Sequence, residues 1–186
     1  MNAIPTAGED APDFRLEDSQ GRAVELSRLS GGRPLVLLFT RGALSPDCVR
    51  QLIDYRDSTL RFDRAGARIA VISPDEPSTS GYLKLERGLG FTMLADPGSG
   101  VARSWGLVAA DGEVRPATFV LDRHGVVRTR AVDQRPAAQL MLSFLKRGGA
   151  TARSRKKPGT ASRIVAFIAR AGSALRHALR TPGVAR

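Results

Sequence analysis

The chain has 186 residues, 42% of them hydrophobic, with one Cys, two His and a formal net charge of +11. That length suits one domain with a substantial core plus an extension. One cysteine excludes an internal disulfide and a cysteine-rich zinc site, and His124 and His177 lie far apart, so no metal and no cofactor is expected.

The charge is uneven. Ten of the 29 Lys/Arg fall at or after Arg147 with no Asp/Glu among them, so the preceding residues carry 19 basic against 18 acidic side chains. The expected organisation is a domain over 1–147, a basic flexible linker over 148–160, and a basic amphipathic helix and tail over 161–186. In that tail Ile164, Ile168, Ala171, Leu175 and Leu179 share one helical face, a pattern suited to an anionic membrane surface and less to nucleic acid. The N-terminus has neither a basic nor an apolar leader region, and no run of about 18 apolar residues occurs. The expected location is cytoplasmic, with a peripheral membrane contact through the tail.

In chain order, "APDFRLEDSQGRAVELSRL" predicts two short strands around a Ser-Gln-Gly turn, then a helical turn. "RPLVLLF" is a continuous apolar run, the pattern of a strand covered on both faces. Residues 46–64 predict one helix with Val49, Leu52, Ile53 and Leu60 near one face. "ARIAVIS" is a second buried strand, "STSGYLKLERGLG" a helix ending at Gly88 or Gly90, "FTMLAD" a strand and "SGVARSWGL" a short helix. "ATFVLD" and "VVRTRAV" are strands joined by a turn that holds His124, read as a turn residue. "RPAAQLMLSFLKR" is the last helix. The alternation predicts an α/β fold, a central mixed sheet flanked by helices, with a basic C-terminal extension.

The lone cysteine sits in "TRGALSPDCVRQL". Ser45 suits the N-cap, Pro46 the first helical position, and Cys48 then falls in the first turn. Free N–H groups and the helix dipole there favour an anion, and thiolate is the reactive form of cysteine. Arg41 and Arg50 add positive charge nearby, and Asp47 opposes it. The alternative is a small buried hydrophobe, the commonest fate of a free cysteine.

Three stretches resemble the peroxiredoxins, the thioredoxin-fold alkyl hydroperoxide reductase / thiol-specific antioxidant superfamily, over about Gly8 to Arg147. They are "APDFRLEDSQGRAVELSRLSGGRPLVLLFTRG", "ISPDEPSTSGYLKLERGLGFTMLADPGSGVARSWGL" and "RPATFVLDRHGVVR". The resemblance implies a thioredoxin-like fold. It also implies attack of the Cys48 thiolate on a peroxide O–O bond to give a sulfenic acid, with Ser45 in the place of the family's Thr or Ser three residues before the cysteine. The family's Pro seven residues before the cysteine is Arg41 here. Its Arg two residues before the Thr-Phe pair is Pro116, with Arg115 one place early. The expectation is that Arg41 or Arg115 takes over that arginine's role. "RPATF" also resembles the proline loop of thioredoxin, which implies a cis Arg115–Pro116 bond close to Cys48.

With no second cysteine, an external thiol must reduce the sulfenic acid. That thiol is expected to be a thioredoxin-type protein or a low-molecular-weight thiol, or Cys48 of a second copy in a homodimer. The competing reading is a catalytically degenerate thioredoxin-fold binding module tethered by its basic tail.

Overall fold

In the computed structural model, which describes residues 2–43 and 45–148, the apolar runs become the inner strands of a seven-stranded sheet. The strands are β1 (Arg15–Asp18), β2 (Ala23–Glu25), β3 (Leu35–Phe39), β4 (Arg68–Ser73), β5 (Thr92–Ala95), β6 (Ala117–Leu121) and β7 (Val127–Val132). The helices are α1 (Leu26–Ser30), α2 (Pro46–Asp57), α3 (Thr59–Arg64), α4 (Pro77–Glu86), α5 (Gly100–Ser104) and α6 (Ala138–Gly148). Strand order is β2-β1-β5-β4-β3-β6-β7. β3, β4 and β5 run parallel, and β6 pairs antiparallel with both β3 and β7. The expected mixed sheet with helices on both faces is present. The expected linker and tail helix lie outside the described residues.

The continuous apolar reading of β3 has its cause in burial on both faces. Leu35, Leu37 and Phe39 point into one core with Leu26, Leu29, Ile72, Trp105 and Phe119. Val36 and Leu38 point into the other with Leu52, Tyr55, Phe62, Leu83 and Met141. Successive side chains on a strand alternate faces, so a strand clad by helices on both sides needs an apolar residue at every position. Charged residues would have to be buried unpaired, and β3 has none.

The single helix expected over residues 46–64 is two. Ser58 (φ −98°, ψ 0°) separates α2 from α3, and its N–H is shared between the carbonyls of Asp54 and Tyr55. The Thr59 hydroxyl donates to the Tyr55 carbonyl at 3.2 Å. Side-chain hydroxyls that compete for backbone carbonyls weaken a helix at such a Ser-Thr pair. The break rotates α3, so that Phe62 is buried and Leu60, expected on the core face, is 71% exposed.

One further expectation is corrected. The Arg115–Pro116 bond is trans, as there is no cis peptide among the described residues. Arg115 N–H donates to the Leu107 carbonyl at 2.7 Å, and the Pro116 carbonyl accepts from Asp133 N–H at 2.8 Å. The chain is therefore already tied to neighbours on both sides as it enters β6, and the favoured trans form meets those bonds. Between Leu107 and Ala117, where the sequence signals no element, a short hairpin forms: Val108 bridges Val114, and Ala109 N–H donates to the Glu113 carbonyl at 2.9 Å.

Candidate active site

The loop from Thr40 to Ser45 joins β3 to α2 at the carboxyl ends of the parallel strands, where open α/β sheets gather their ligands. Thr40 is buried and continues the β3–β4 ladder, its N–H donating to the Ile72 carbonyl at 3.0 Å. The chain then turns sharply at Gly42, whose φ of 127° is a conformation that glycine alone adopts freely. A Cβ at Gly42 would lie 3.2 Å from an Asp75 carboxylate oxygen. Asp75 Oδ2 accepts the Ala43 N–H at 2.6 Å and also the Ser73 hydroxyl, and Ser73 Oγ in turn accepts from Thr40 Oγ1 at 3.2 Å. This polar chain ties the loop to the end of β4.

Pro46 occupies the first helical position of α2, as the sequence predicts, and Cys48 lies in the first turn. Ser45 holds the N-cap backbone position and its carbonyl accepts the Val49 N–H at 3.0 Å. The expected cap by its hydroxyl is absent: the side chain makes no bond to the first turn. Ser45 instead helps to line a shallow cleft of about 380 Å³ with Arg41, Pro74, Ser99, Glu113 and Val114.

Cys48 is 1% exposed, and its Sγ accepts the backbone N–H of Arg41 at 3.5 Å. One turn further, Gln51 Nε2 donates to Thr118 Oγ1 of β6 at 3.3 Å, both side chains being buried. The Tyr55 hydroxyl donates to the Pro136 carbonyl at 3.2 Å, and burial pushes that hydroxyl's pKa upward. Ala138 N–H donates to Asp54 at 2.7 Å. These bonds fix α2 over the sheet and against the start of α6, and so fix the depth of the thiol.

The sequence offers two arginines for the site, and both guanidinium groups have carboxylate partners elsewhere. Arg41 is half exposed, with Nε 3.9 Å from Glu113 on the 108–114 hairpin. Arg115 grips Asp133 through Nε and Nη2, and this hydrogen bonding holds the Asp133 carboxyl below the ordinary carboxylate range. A third arginine, not singled out in the sequence, comes to the mouth of α2. Arg135 is only 25% exposed, with Nη1 4.0 Å from Asp47, the residue before the cysteine. Its Nε is buried without a hydrogen-bond partner among the described residues. A buried guanidinium N–H without a protein acceptor is costly, and an ordered water, an ion or a reacting group is what completes such bonding. The Arg-Pro pair ahead of the last helix was the only local signal. Asp47 is also paired with Arg50. His124 lies exposed in the β6–β7 turn, its N–H donating to Asp122, as the turn reading expects.

A buried thiol in a first helical turn, with a backbone donor on sulfur and a cleft beside its loop, is arranged for nucleophilic sulfur chemistry. Residues 7–130 match the profile of the AhpC/TSA family. The chloroplastic peroxiredoxin Q of Oryza sativa subsp. japonica is 40% identical over 123 residues, which cover 65% of this chain and 56% of that protein. The chloroplastic peroxiredoxin Q of Sedum lineare is 36% identical over 125 residues, 66% of this chain and 67% of that one. The chain thus spans little more than half the length of the rice relative. Among solved structures, the peroxidoxin BcpB of Mycobacterium tuberculosis superposes with a TM-score of 0.72 at 26% identity, over 81% of this chain and 99% of that one.

Proposed function

Since the chain belongs to the AhpC/TSA family, we propose that it is a peroxide reductase working through one cysteine, Cys48, with an external thiol as reductant. The observation that carries this reading is the position of Cys48 in the first turn of α2, its sulfur receiving the Arg41 N–H. The thiolate attacks one peroxide oxygen. A sulfur–oxygen bond forms as the O–O bond breaks, and the departing alkoxide or hydroxide takes a proton to leave as alcohol or water. Sulfur loses two electrons to the peroxide and becomes a sulfenic acid. A first reductant thiol condenses with the sulfenic acid, releasing water. A second thiol then attacks that mixed disulfide, releasing the reductant as a disulfide and restoring Cys48. The chain has only this cysteine, so both thiols come from outside it. A thioredoxin-type protein or a low-molecular-weight thiol fits that role, and the cytoplasm supplies both.

The test is to add stoichiometric hydrogen peroxide to the reduced protein in the presence of dimedone and to find the adduct by mass spectrometry. One dimedone per chain, on the peptide holding Cys48, is the expected result. An unmodified thiol after peroxide treatment would leave the domain a binding module without this chemistry.

Arg135 is the cation that this reading places beside the reaction, because among the described residues Asp47 alone pairs with it and its Nε has no partner. Arg135→Ala is expected to slow sulfenic acid formation on the order of 100-fold, the scale of losing one preorganised donor at a site of developing charge. Stopped-flow fluorescence of Trp105 under excess peroxide would measure it. An unchanged rate would remove Arg135 from the site. Arg115→Ala serves as comparison, since its partner is the exposed Asp133. An exposed ion pair contributes ~0–1 kcal/mol to stability.

A further inference from the structure

Two positions of the chain depart from the pattern of the resembling family. Pro116 stands where the resembling family has an arginine, and Arg41 where it has a proline. We propose that the backbone N–H of Arg41 is the donor that stabilises the reacting sulfur of Cys48, and that Asp75 is the positioning residue that holds this donor in place.

The geometry is specific. The Arg41 N–H points at Sγ with N···S of 3.5 Å, while the Arg41 guanidinium extends to Glu113. The residue's backbone and its side chain therefore serve different partners. Proline has no N–H, so this donor exists only because position 41 is another residue. A hydrogen bond to an ionised acceptor is about twice as strong as a neutral one, so the donor favours thiolate over thiol. Asp75 acts at one remove. Its Oδ2 accepts the Ala43 N–H at 2.6 Å, two residues beyond the donor, and its own orientation is set by the Ser73 hydroxyl. Oδ1 lies on the side of Gly42 where a Cβ would come within 3.2 Å of it, so the loop passes close to the carboxylate there. The turn that presents the Arg41 N–H is thus held by this carboxylate through Ala43, next to Gly42.

The proposal rests on the peroxide-reductase reading for its purpose, but its test does not need turnover. The charged groups on the elements around the thiol are Arg41 and Asp75 from loops, Asp47 and Arg50 in the first turns of α2 with Asp54, Arg56 and Asp57 further along it, Glu113 from the hairpin and Arg135 ahead of α6. A titration of thiolate ultraviolet absorbance, with Cys48→Ser as the blank, is run on the full chain and on four variants. Arg41→Pro and Arg41→Ala both lose the side chain, but only the first loses the N–H. The expected midpoint for Arg41→Pro is about one pH unit above that for Arg41→Ala, a tenfold lower thiolate-to-thiol ratio. Equal midpoints would assign any effect to the guanidinium and overturn the proposal.

If Arg41→Pro does not fold, Asp75 carries the test. Asp75→Asn keeps an acceptor for the Ala43 N–H, and Asp75→Ala does not. Asp75→Ala is expected to raise the midpoint, and Asp75→Asn to restore most of the difference. Identical midpoints for these two variants would show that Asp75 does not position the donor. A wild-type protein that titrates as described but ignores peroxide would refute the peroxide-reductase reading and leave the donor assignment standing.

Discussion

Cys48→Ser is expected to abolish peroxide reduction while leaving the fold intact. Serine is nearly the same shape, and a hydroxyl oxygen can accept the Arg41 N–H that now reaches Sγ. The cost to stability is that of placing a hydroxyl at a site 1% exposed, about 1–3 kcal/mol before the Arg41 bond offsets part of it. The chemistry has no such compensation. A serine hydroxyl is not ionised near neutral pH, and no histidine or lysine among the described residues neighbours it in the sequence. The only cysteine is gone, so no other residue can enter the sulfenic acid cycle. Peroxide consumption coupled to an external dithiol is expected to fall more than about 100-fold, to the level of the uncatalysed mixture. A variant that is folded by circular dichroism and still consumes peroxide at an appreciable fraction of the wild-type rate would place the reaction elsewhere, with methionine oxidation as the first suspect.

Trp105→Ala is expected to be the most destabilising of the substitutions considered. Trp105 is completely buried in the core beneath the face of the sheet that carries Phe39 and Phe119. Its ring centroid is 5.1 Å from that of Phe39 and 4.9 Å, edge-on, from that of Phe119, whose own centroids are 5.9 Å apart. Removing the indole takes away the hub of this trio and leaves a cavity bounded by two rigid strands that cannot close on it. Truncation of a buried Phe or Trp to Ala costs ~3–5 kcal/mol. Against a total stability on the order of 5–15 kcal/mol, that is a large share of what holds the domain folded. Urea denaturation would register the loss as a lower midpoint at unchanged slope.

Trp105→Phe provides the control. The indole N–H is buried with no acceptor among the described residues, a liability of ~1–3 kcal/mol that phenylalanine removes. The phenylalanine variant should therefore lose much less than its lost volume implies. If Trp105→Ala unfolds no more easily than wild type, the aromatic trio is not the keystone of that face. The consequence reaches the site, because Phe39 is the last residue of β3, next to the loop that presents Arg41 and Gly42.

The parts of this protein that its sequence alone determined are those whose physical signal is local. Five consecutive apolar residues in β3 mean burial on both faces whatever the neighbours are. Pro46 starts a helix because its missing N–H costs nothing at the first position, and counting from it places Cys48 in the first turn. Gly88, with φ of 61°, closes α4 just after its last turn for an equally local reason. The family resemblance, which rests on short stretches of this kind, was legible for the same reason.

The tertiary structure decided whatever depends on residues remote in the chain. The break at Ser58 turns Phe62 inward to the second core, a placement that the helical period of residues 46–64 does not encode. Ser45 lines a cleft together with Gly112, Glu113 and Val114 of the hairpin, residues remote from it in the chain. Arg115 was a plausible neighbour of the thiol until the antiparallel pairing of β6 with β7 brought Asp133 beside it. Arg135 reaches Asp47 only because α6 packs on α2 through Tyr55 and Asp54. The same holds for Asp75 and the Ala43 N–H, which meet because β3 and β4 end side by side. A side chain's partner is fixed by where its strand or helix is packed, and packing is a property of the whole core, so the nucleophile could be read from its own segment and the groups that govern it could not.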